Sequence, residues 1–308
     1  MLRTFFVRLS ENQSLRNFAE RSSLGRRLSG RFVAGTEIAD AVRATQAVNR
    51  SGMSVSIDNL GENVTNPDEA HHSAQLYRQI LDAITTNHLN ANISLKLTHM
   101  GLDVDENLAR EIVSGLVAKA ASMTPPGFVR VDMEGSPYTQ RTLDFVQELH
   151  RMPGNANSVG TVIQSYLRRS ESDIEKLLSE NTRIRLCKGA YKEPAEIAFP
   201  AKSDVDANYV KLMKILMKSG IYHGLATHDE NIIHQAEAFA TAEKLSPDSF
   251  EFQMLYGIRR DLQQRLVRKG WRVRVYIPFG TEWYPYFMRR LGERPANVFF
   301  IARNLLRS

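Results

Sequence analysis

Cysteine is nearly absent. Cys187 stands alone, so an intrachain disulfide cannot form and a cysteine-based zinc site is excluded. A reducing, cytoplasmic setting fits that usage. No apolar run reaches membrane-spanning length. No G-x-G-x-x-G turn occurs, which removes the usual mark of a dinucleotide-binding open sheet. His228, in Thr227-His228, lacks His, Cys or carboxylate partners at ligand spacing, so no metal is expected. No serine sits in a nucleophile-elbow context. Beyond residue 35 there is also little net charge, because seven arginines (Arg3, Arg8, Arg16, Arg21, Arg26, Arg27, Arg31) against Glu11 and Glu20 give the opening segment +5 of the chain's +6. Such a segment has the composition of a targeting peptide or of an arm for an anionic surface. Its Leu2, Phe5, Phe6, Leu9, Leu15 and Phe18, however, recur at helical spacing. Residues 1–50 are therefore expected to form amphipathic helices that pack on a body made by residues 51–308. The near-neutral body gives no support to nucleic-acid binding.

That body alternates between two periodicities. Apolar, β-branched runs are expected to form strands at 52–58, 93–97, 128–132, 159–164, 184–187, 224–227, 250–254 and 273–277, each followed by a helical pattern. The first of those helices is placed at 67–87, with Asn66 as its cap and Pro67 in its first turn. Successive strand ends lie 23–40 residues apart. Eight such units predict an α/β fold, a (β/α)8 TIM-type barrel preceded by N-terminal helices.

Barrel enzymes place their chemistry at the carboxyl ends of the strands. The residues expected there are Asp58, Glu62, Lys96, Asp132, Gln164, Arg185, Lys188, His228, Gln253 and Tyr276. Each has a structural reading alone: Asp132 as a helix cap, Asp58 as a tie within its loop, Lys96 and Arg185 as rim cations. As a set they predict a polar pocket. Counting Lys96, Arg185, Lys188, Arg289 and Arg290 against Asp132 and Glu62, that pocket should prefer anions. Gly189 removes a side chain beside the cluster, which would let backbone approach a phosphate or ring. Cys187 lies in an apolar strand, as a packing residue does.

The last expected strand ends in Pro278-Phe279-Gly280, and a helix is predicted from 281. On it Tyr286, Arg289, Arg290 and Glu293 recur at i, i+3, i+4 and i+7 along one face. Two guanidiniums beside a phenol suit a planar carboxylate, with Glu293 orienting one of them. A solvated, salt-bridged stripe would have the same spacing. Two chemistries remain open on the residues alone: a Schiff base on Lys96 or Lys188, or a phosphorylated redox cofactor held in a positive pocket.

The stretch YIPFGTEWYPYFMRRLGERPAN closely resembles the C-terminal signature of proline dehydrogenases. SIDNLGENV, SLKLTHMGLD, VRVDMEGSPYTQRTLDF, VGTVIQSYLRRSESDI, RIRLCKGAYKEP, GLATHDENII and FEFQMLYGIRRDLQ resemble further family blocks in family order, from Ser56 to Asn297. The resemblance implies non-covalent FAD, oxidation of L-proline to Δ1-pyrroline-5-carboxylate as the first step of proline catabolism, and a quinone acceptor. It places Arg289, Arg290 and Lys96 on the substrate carboxylate. Asp132, Ala190, Tyr191, Leu255, Tyr276 and Tyr286 would surround the ring, and Glu62 would pair with Arg289 as a gate. Met133, Gln164, Arg185, Cys187, Gly189, Ala190, Tyr191, Lys192, Ala226, Thr227, His228, Gln253, Arg290 and Glu293 would line the FAD path. Lys192 departs from relatives that carry Trp there. The resemblance implies a separate pyrroline-5-carboxylate dehydrogenase, since no aldehyde dehydrogenase region is seen. Quinone use implies a peripheral contact at the inner face of a membrane, for which the basic opening is the candidate. Another flavin barrel, methylenetetrahydrofolate-reductase-like, and a Schiff-base lyase are the alternatives.

Overall fold

The computed structural model describes residues 29–293, with side chains as far as Met288. Helix α1 (Ile38–Arg50) precedes β1 (Ser54–Asn59), α2 (Pro67–Thr86), β2 (Ala91–Leu95), a short 3-10 turn (Thr98–Met100), α3 (Glu106–Ala121), β3 (Val129–Val131) and α4 (Ser136–Arg151). The second half continues as β4 (Val159–Gln164), α5 (Ser170–Ser179), β5 (Arg183–Cys187), α6 (Lys202–Lys218), β6 (His223–Ala226), α7 (Glu230–Ala242), β7 (Phe250–Leu255), α8 (Arg260–Arg268), β8 (Val273–Phe279) and α9 (Trp283–Glu293). The strands pair in chain order, all parallel, and β8 returns to β1 with Ser56 opposite Tyr276, closing the barrel. The (β/α)8 expectation is met. The helices expected within residues 1–28 lie outside the described residues.

Alternation in the strands sorts apolar from polar side chains. In β1, Val55 and Ile57 enter one continuous core with Tyr77, Ile80 and Leu81 of α2. Ser56 and Asp58, between them, are equally buried but belong to the barrel's interior. Such interiors are usually filled by layers of branched apolar side chains. Here Ser56, Asn92, Ser94, Arg130, Arg185, Glu251 and Gln253 are all buried, and the plug is held by hydrogen bonds. Arg130, for instance, donates through Nη1 to the carbonyls of Thr161 (2.8 Å) and Arg183 (2.6 Å).

Local chemistry sets the helix starts. Asn66 caps α2, its Oδ1 accepting from Glu69 N at 3.0 Å, with Pro67 in the first turn as expected. Helix α4 begins after Gly135 with no side-chain cap of its own. Glu193, from the loop after β5, supplies one by accepting from Ser136 N at 2.7 Å and Ser136 Oγ at 2.5 Å. The end of β8 differs from expectation. Pro278 reads as a turn because it cannot donate to a ladder, yet the strand runs through it to Phe279, with Asn59 opposite Phe279. Its carbonyl accepts from Ala34 N (2.9 Å), and Gly280 N donates to Gly35 O (3.0 Å), so the chain before α1 secures that end.

One buried histidine gives the fold a pH dependence. His223 Nδ1 accepts from Ile184 N (3.0 Å), and Nε2 lies 3.0 Å from Ser219 Oγ. Protonating Nδ1 would set two donors against each other. Burial first, then the Arg130 and Arg183 guanidiniums, lower the imidazole to about 3. The folded value lies below the unfolded ~6.5, so the unfolded chain takes the proton first. Stability should be complete above about pH 6.5 and decline as pH falls toward the folded value. His223→Asn, which keeps an acceptor near Ile184 N, should flatten that decline in urea midpoints measured from neutral to acid pH.

Candidate active site

Arg185, on β5 and only 6% exposed, is the hub at the carboxyl end of the barrel. Its Nη1 donates to Asp132 Oδ1 (2.7 Å) and Ser94 Oγ (3.0 Å), its Nη2 to Ser56 Oγ (3.1 Å), and its Nε to Gln253 Oε1 (2.5 Å). The guanidinium also lies 5.3 Å from the centre of the Tyr276 ring. Tyr276 OH donates to Asp132 Oδ2 at 3.0 Å, and Ser94 Oγ donates to Oδ1 at 2.8 Å. Asp132 is thus no helix cap. It joins β2, β3, β5 and β8, and both its oxygens are used. Burial, then the Asp132 and Asp58 carboxylates, push the Tyr276 phenol well above its ordinary value, so it stays a donor at neutral pH.

Lys96 follows β2 and faces carboxylates. Its Nζ is 3.9 Å from Asp58 Oδ2 and 3.9 Å from Glu62 Oε1. Burial pulls its pKa down, but Asp58, Glu62 and Asp132 outweigh that and hold it above the usual lysine value. Asp58 is 1% exposed, and its Oδ1 accepts from Tyr77 OH at 3.3 Å. Burial raises its carboxyl, against the opposing pull of Lys96. An amine must be neutral to attack a carbonyl, so a lysine held charged in this way argues against the Schiff-base route.

Lys188 does not join the mouth as a free cation. Its Nζ pairs with Asp206 (2.6 Å) and Asp229 (2.9 Å), and Asp229 in turn caps α7 through Asn231 N. Glu134, buried beyond β3, accepts from Thr98 N (3.2 Å) and Thr98 Oγ1 (2.7 Å). Among the described residues, Asp58, Glu62, Asp132 and Glu134 therefore face Lys96 and Arg185, and the expected cationic excess rests on Arg289 and Arg290. The backbone of those two residues and of Glu293 lies in α9. Their side chains, and the fork and gate drawn on them, lie outside the described residues.

The remaining expected residues fall into two groups. Tyr286, on α9, is buried with Leu60, Ile258, Trp283 and Phe287, and Leu255 packs against the same cluster. Gln164 donates to Glu134 O at 2.8 Å. Thr227 Oγ1 accepts from Asp229 N (3.1 Å), and His228 Nε2 accepts from Leu255 N (2.9 Å), joining the ends of β6 and β7 next to Ala226. Met133 is buried in the shell core, and the Cys187 thiol at the end of β5 is pushed up to about 12 by burial. Ala190, Tyr191 and Lys192 lead the loop after β5 and are exposed. Gly189 is required for a reason the sequence did not suggest. Its φ is +105°, and a Cβ there would fall 2.2 Å from the Tyr166 ring, so a packed aromatic already demands glycine.

The chemistry of these side chains is compatible with a flavin. Gln164, Gln253 and Thr227 are polar groups near the carboxyl ends of β4, β7 and β6, and Lys192 is an exposed cation that could meet a phosphate. Arg185, in contrast, spends its donors inside the barrel, and Met133 is packed in the shell core. Reading the sequence missed Ser56, Ser94 and Tyr77. Serine in an alternating strand carries no distinguishing signal, and Tyr77 reads as one more apolar position of α2.

Comparison with known proteins identifies the family of the chain. The chain is 40% identical over its full length to the full length of Proline dehydrogenase 1 from Bacillus subtilis (strain 168). It is 42% identical to Proline dehydrogenase from Deinococcus radiodurans, over 91% of this chain and 90% of that one. Among solved structures, proline utilization A from Bdellovibrio bacteriovorus superposes with a TM-score of 0.80 at 24% identity. That match covers 87% of this chain and 32% of the longer protein, and it supports the fold alone. The sequence model described as "Proline dehydrogenase" matches residues 41–303, and the chain belongs to the proline dehydrogenase family.

Proposed function

We propose that this oxidoreductase converts L-proline to Δ1-pyrroline-5-carboxylate at the mouth of the barrel, with non-covalent FAD accepting the hydride and a quinone receiving the electrons. The observation that carries the reading is the buried Arg185–Asp132–Tyr276 network beside a charged Lys96 in a member of this family. A bound FAD supplies the hydride acceptor, and the chain supplies everything else. Arg289, Arg290 and Lys96 hold the substrate carboxylate and so fix which ring carbon faces the flavin. Arg185 would supply positive charge that stabilises the negative charge a bound flavin acquires on reduction. Asp132 keeps Arg185 and Tyr276 in place, with Ala190, Tyr191, Leu255 and Tyr286 around the ring. Glu62 closes the site against Arg289. Met133, Gln164, Cys187, Gly189, Lys192, Ala226, Thr227, His228, Gln253 and Glu293 line the path of FAD.

The hydride leaves the carbon next to nitrogen, and the nitrogen lone pair forms the new C=N bond. The substrate ammonium must therefore lose its proton first, a loss that the cationic Lys96 favours. The rate should fall at acid pH. In the isolated protein loaded with FAD, anaerobic L-proline should bleach the flavin absorbance. A bound flavin that keeps its colour under excess proline would overturn the assignment.

Arg289→Ala or Arg290→Ala should raise KM for proline by about 10- to 100-fold while flavin stays bound, as expected for a charge-assisted contact. A double variant with unchanged KM would remove the carboxylate fork. Residues 1–50 serve in this reading to pack on the 51–308 body and to meet the membrane that holds the quinone. Binding to anionic liposomes that survives deletion of residues 1–35 would contradict that role. Among the described residues no helix is long and apolar enough to cross a membrane. The second oxidation, of the pyrroline product, falls to a separate dehydrogenase.

A further inference from the structure

Below the mouth, the barrel interior holds a charged group that the chemistry above does not use. Glu251, on β7, is 3% exposed. Its Oε1 accepts from Arg274 Nε (2.6 Å) and Gln253 Nε2 (2.6 Å), and its Oε2 accepts from Tyr222 OH (2.8 Å). Burial would raise this carboxyl, but the Arg274 guanidinium and the donors from Tyr222 and Gln253 outweigh it and keep the group below its ordinary value. It is therefore an ionised acceptor with no proton to give.

That property decides the orientation of Gln253. An amide can sit either way round, and only its partners tell oxygen from nitrogen. With Nε2 on Glu251, Oε1 faces Arg185 Nε and accepts from it. In the reversed orientation two oxygens would meet at Glu251 and two donors would meet at Arg185. Gly224, on the neighbouring strand, leaves the room this amide occupies, since a Cβ there would lie 2.2 Å from Gln253 Nε2. From Arg185 the chain of bonds continues to Asp132 and Tyr276.

We propose that Glu251 is a positioning residue. By fixing the amide of Gln253 it aims the Arg185 guanidinium at the reacting end of the barrel, although Glu251 itself touches neither substrate nor flavin. The inference rests on the assignment of Arg185 to the reaction, and the experiment separates the two.

Three variants are compared as FAD-loaded protein and also without flavin: Glu251→Gln, the pair Glu251→Met with Arg274→Met, and Gly224→Ala. The paired change removes the acceptor together with the cation hydrogen-bonded to it, so Arg274 is not left buried without its carboxylate. Gly224→Ala displaces the amide by a separate route and covers the case in which the paired variant fails to fold. The Arg185 Nε–H proton resonance, assigned by its loss in Arg185→Lys, reads the geometry without turnover. It should move upfield or split in the paired variant and in Gly224→Ala, as the bond to Gln253 weakens. It should stay in place in Glu251→Gln, whose amide oxygen still meets Arg274 and Gln253. Turnover should follow the same order, with kcat lower by about tenfold in the two disruptive variants, KM for proline within about twofold, and Glu251→Gln near the parent. An unmoved resonance in a folded disruptive variant would overturn the proposal, and so would a Glu251→Gln as damaged as the pair. A moved resonance with unchanged kcat would uphold Glu251 as the orienting group and overturn the role of Arg185.

Discussion

Asp132→Ala is expected to lower unfolding free energy by about 3–5 kcal/mol, the usual cost of breaking a buried ion pair from one side. Its partner is the reason. The Arg185 side chain is 7% exposed and that of Asp132 14%, so water cannot replace the lost carboxylate. The guanidinium would be left with only the neutral acceptors Gln253, Ser94 and Ser56. Tyr276 OH would lose its acceptor as well. In the proposed reaction Arg185 and Tyr276 belong to the reacting end, so kcat/KM for proline should fall by about 100-fold or more, equivalent to ~2.7 kcal/mol. Asp132→Asn makes the discriminating comparison. Its oxygen can still accept from Arg185 and Ser94, while its nitrogen meets Tyr276, whose hydroxyl can turn and accept. That variant should lose only about 1–2 kcal/mol. Urea midpoints and steady-state rates on both proteins check the pair; equal, small losses would mean that Asp132 does not hold the network.

The barrel was legible because its signals are local and repeated. Eight apolar strands with short flanking turns announce themselves, and the strand ends expected at Gln164 and Cys187 are those of the structure, with Asp58 one residue short of the end of β1. The start of α2 was legible for the same reason, since Asn66 followed by Pro67 states it directly. What was not legible depends on partners far apart in the chain. Lys188 counts as a pocket cation in sequence, but Asp206 and Asp229 claim it. Asp58 reads as a loop tie until Tyr77 and Lys96 are seen around it. Glu251 and Arg274 read as ordinary strand polars, and nothing in their spacing says that both point into one barrel and meet. Local patterns fix the shell, whereas the plug inside it is made by contacts between strands.

Lys96→Met should expose a second consequence of that plug, one that runs against ordinary acid unfolding. Lys96 is the cation opposing the burial of Asp58, whose Oδ2 has no hydrogen-bond partner among the described residues. Burial already raises the Asp58 carboxyl while Lys96 is present. Without the ammonium, that upward pressure is opposed only by the hydroxyl donors, and the Asp132 carboxylate adds to it. A carboxyl whose folded pKa lies above its unfolded value keeps its proton longer in the folded state. Its contribution to stability is then present at low pH and is lost as pH rises from the unfolded value of ~3.9 through the folded one. The variant should accordingly lose less stability at pH ~5 than at pH ~8 in urea unfolding, relative to the parent at the same pH. Adding Asp58→Asn should restore a pH-independent difference. In turnover, KM for proline should rise by about 10- to 100-fold, because the substrate carboxylate would meet Asp58, Glu62 and Asp132 without this cation. A loss of stability identical at both pH values, unaltered by Asp58→Asn, would show that Lys96 does not compensate the buried carboxylate.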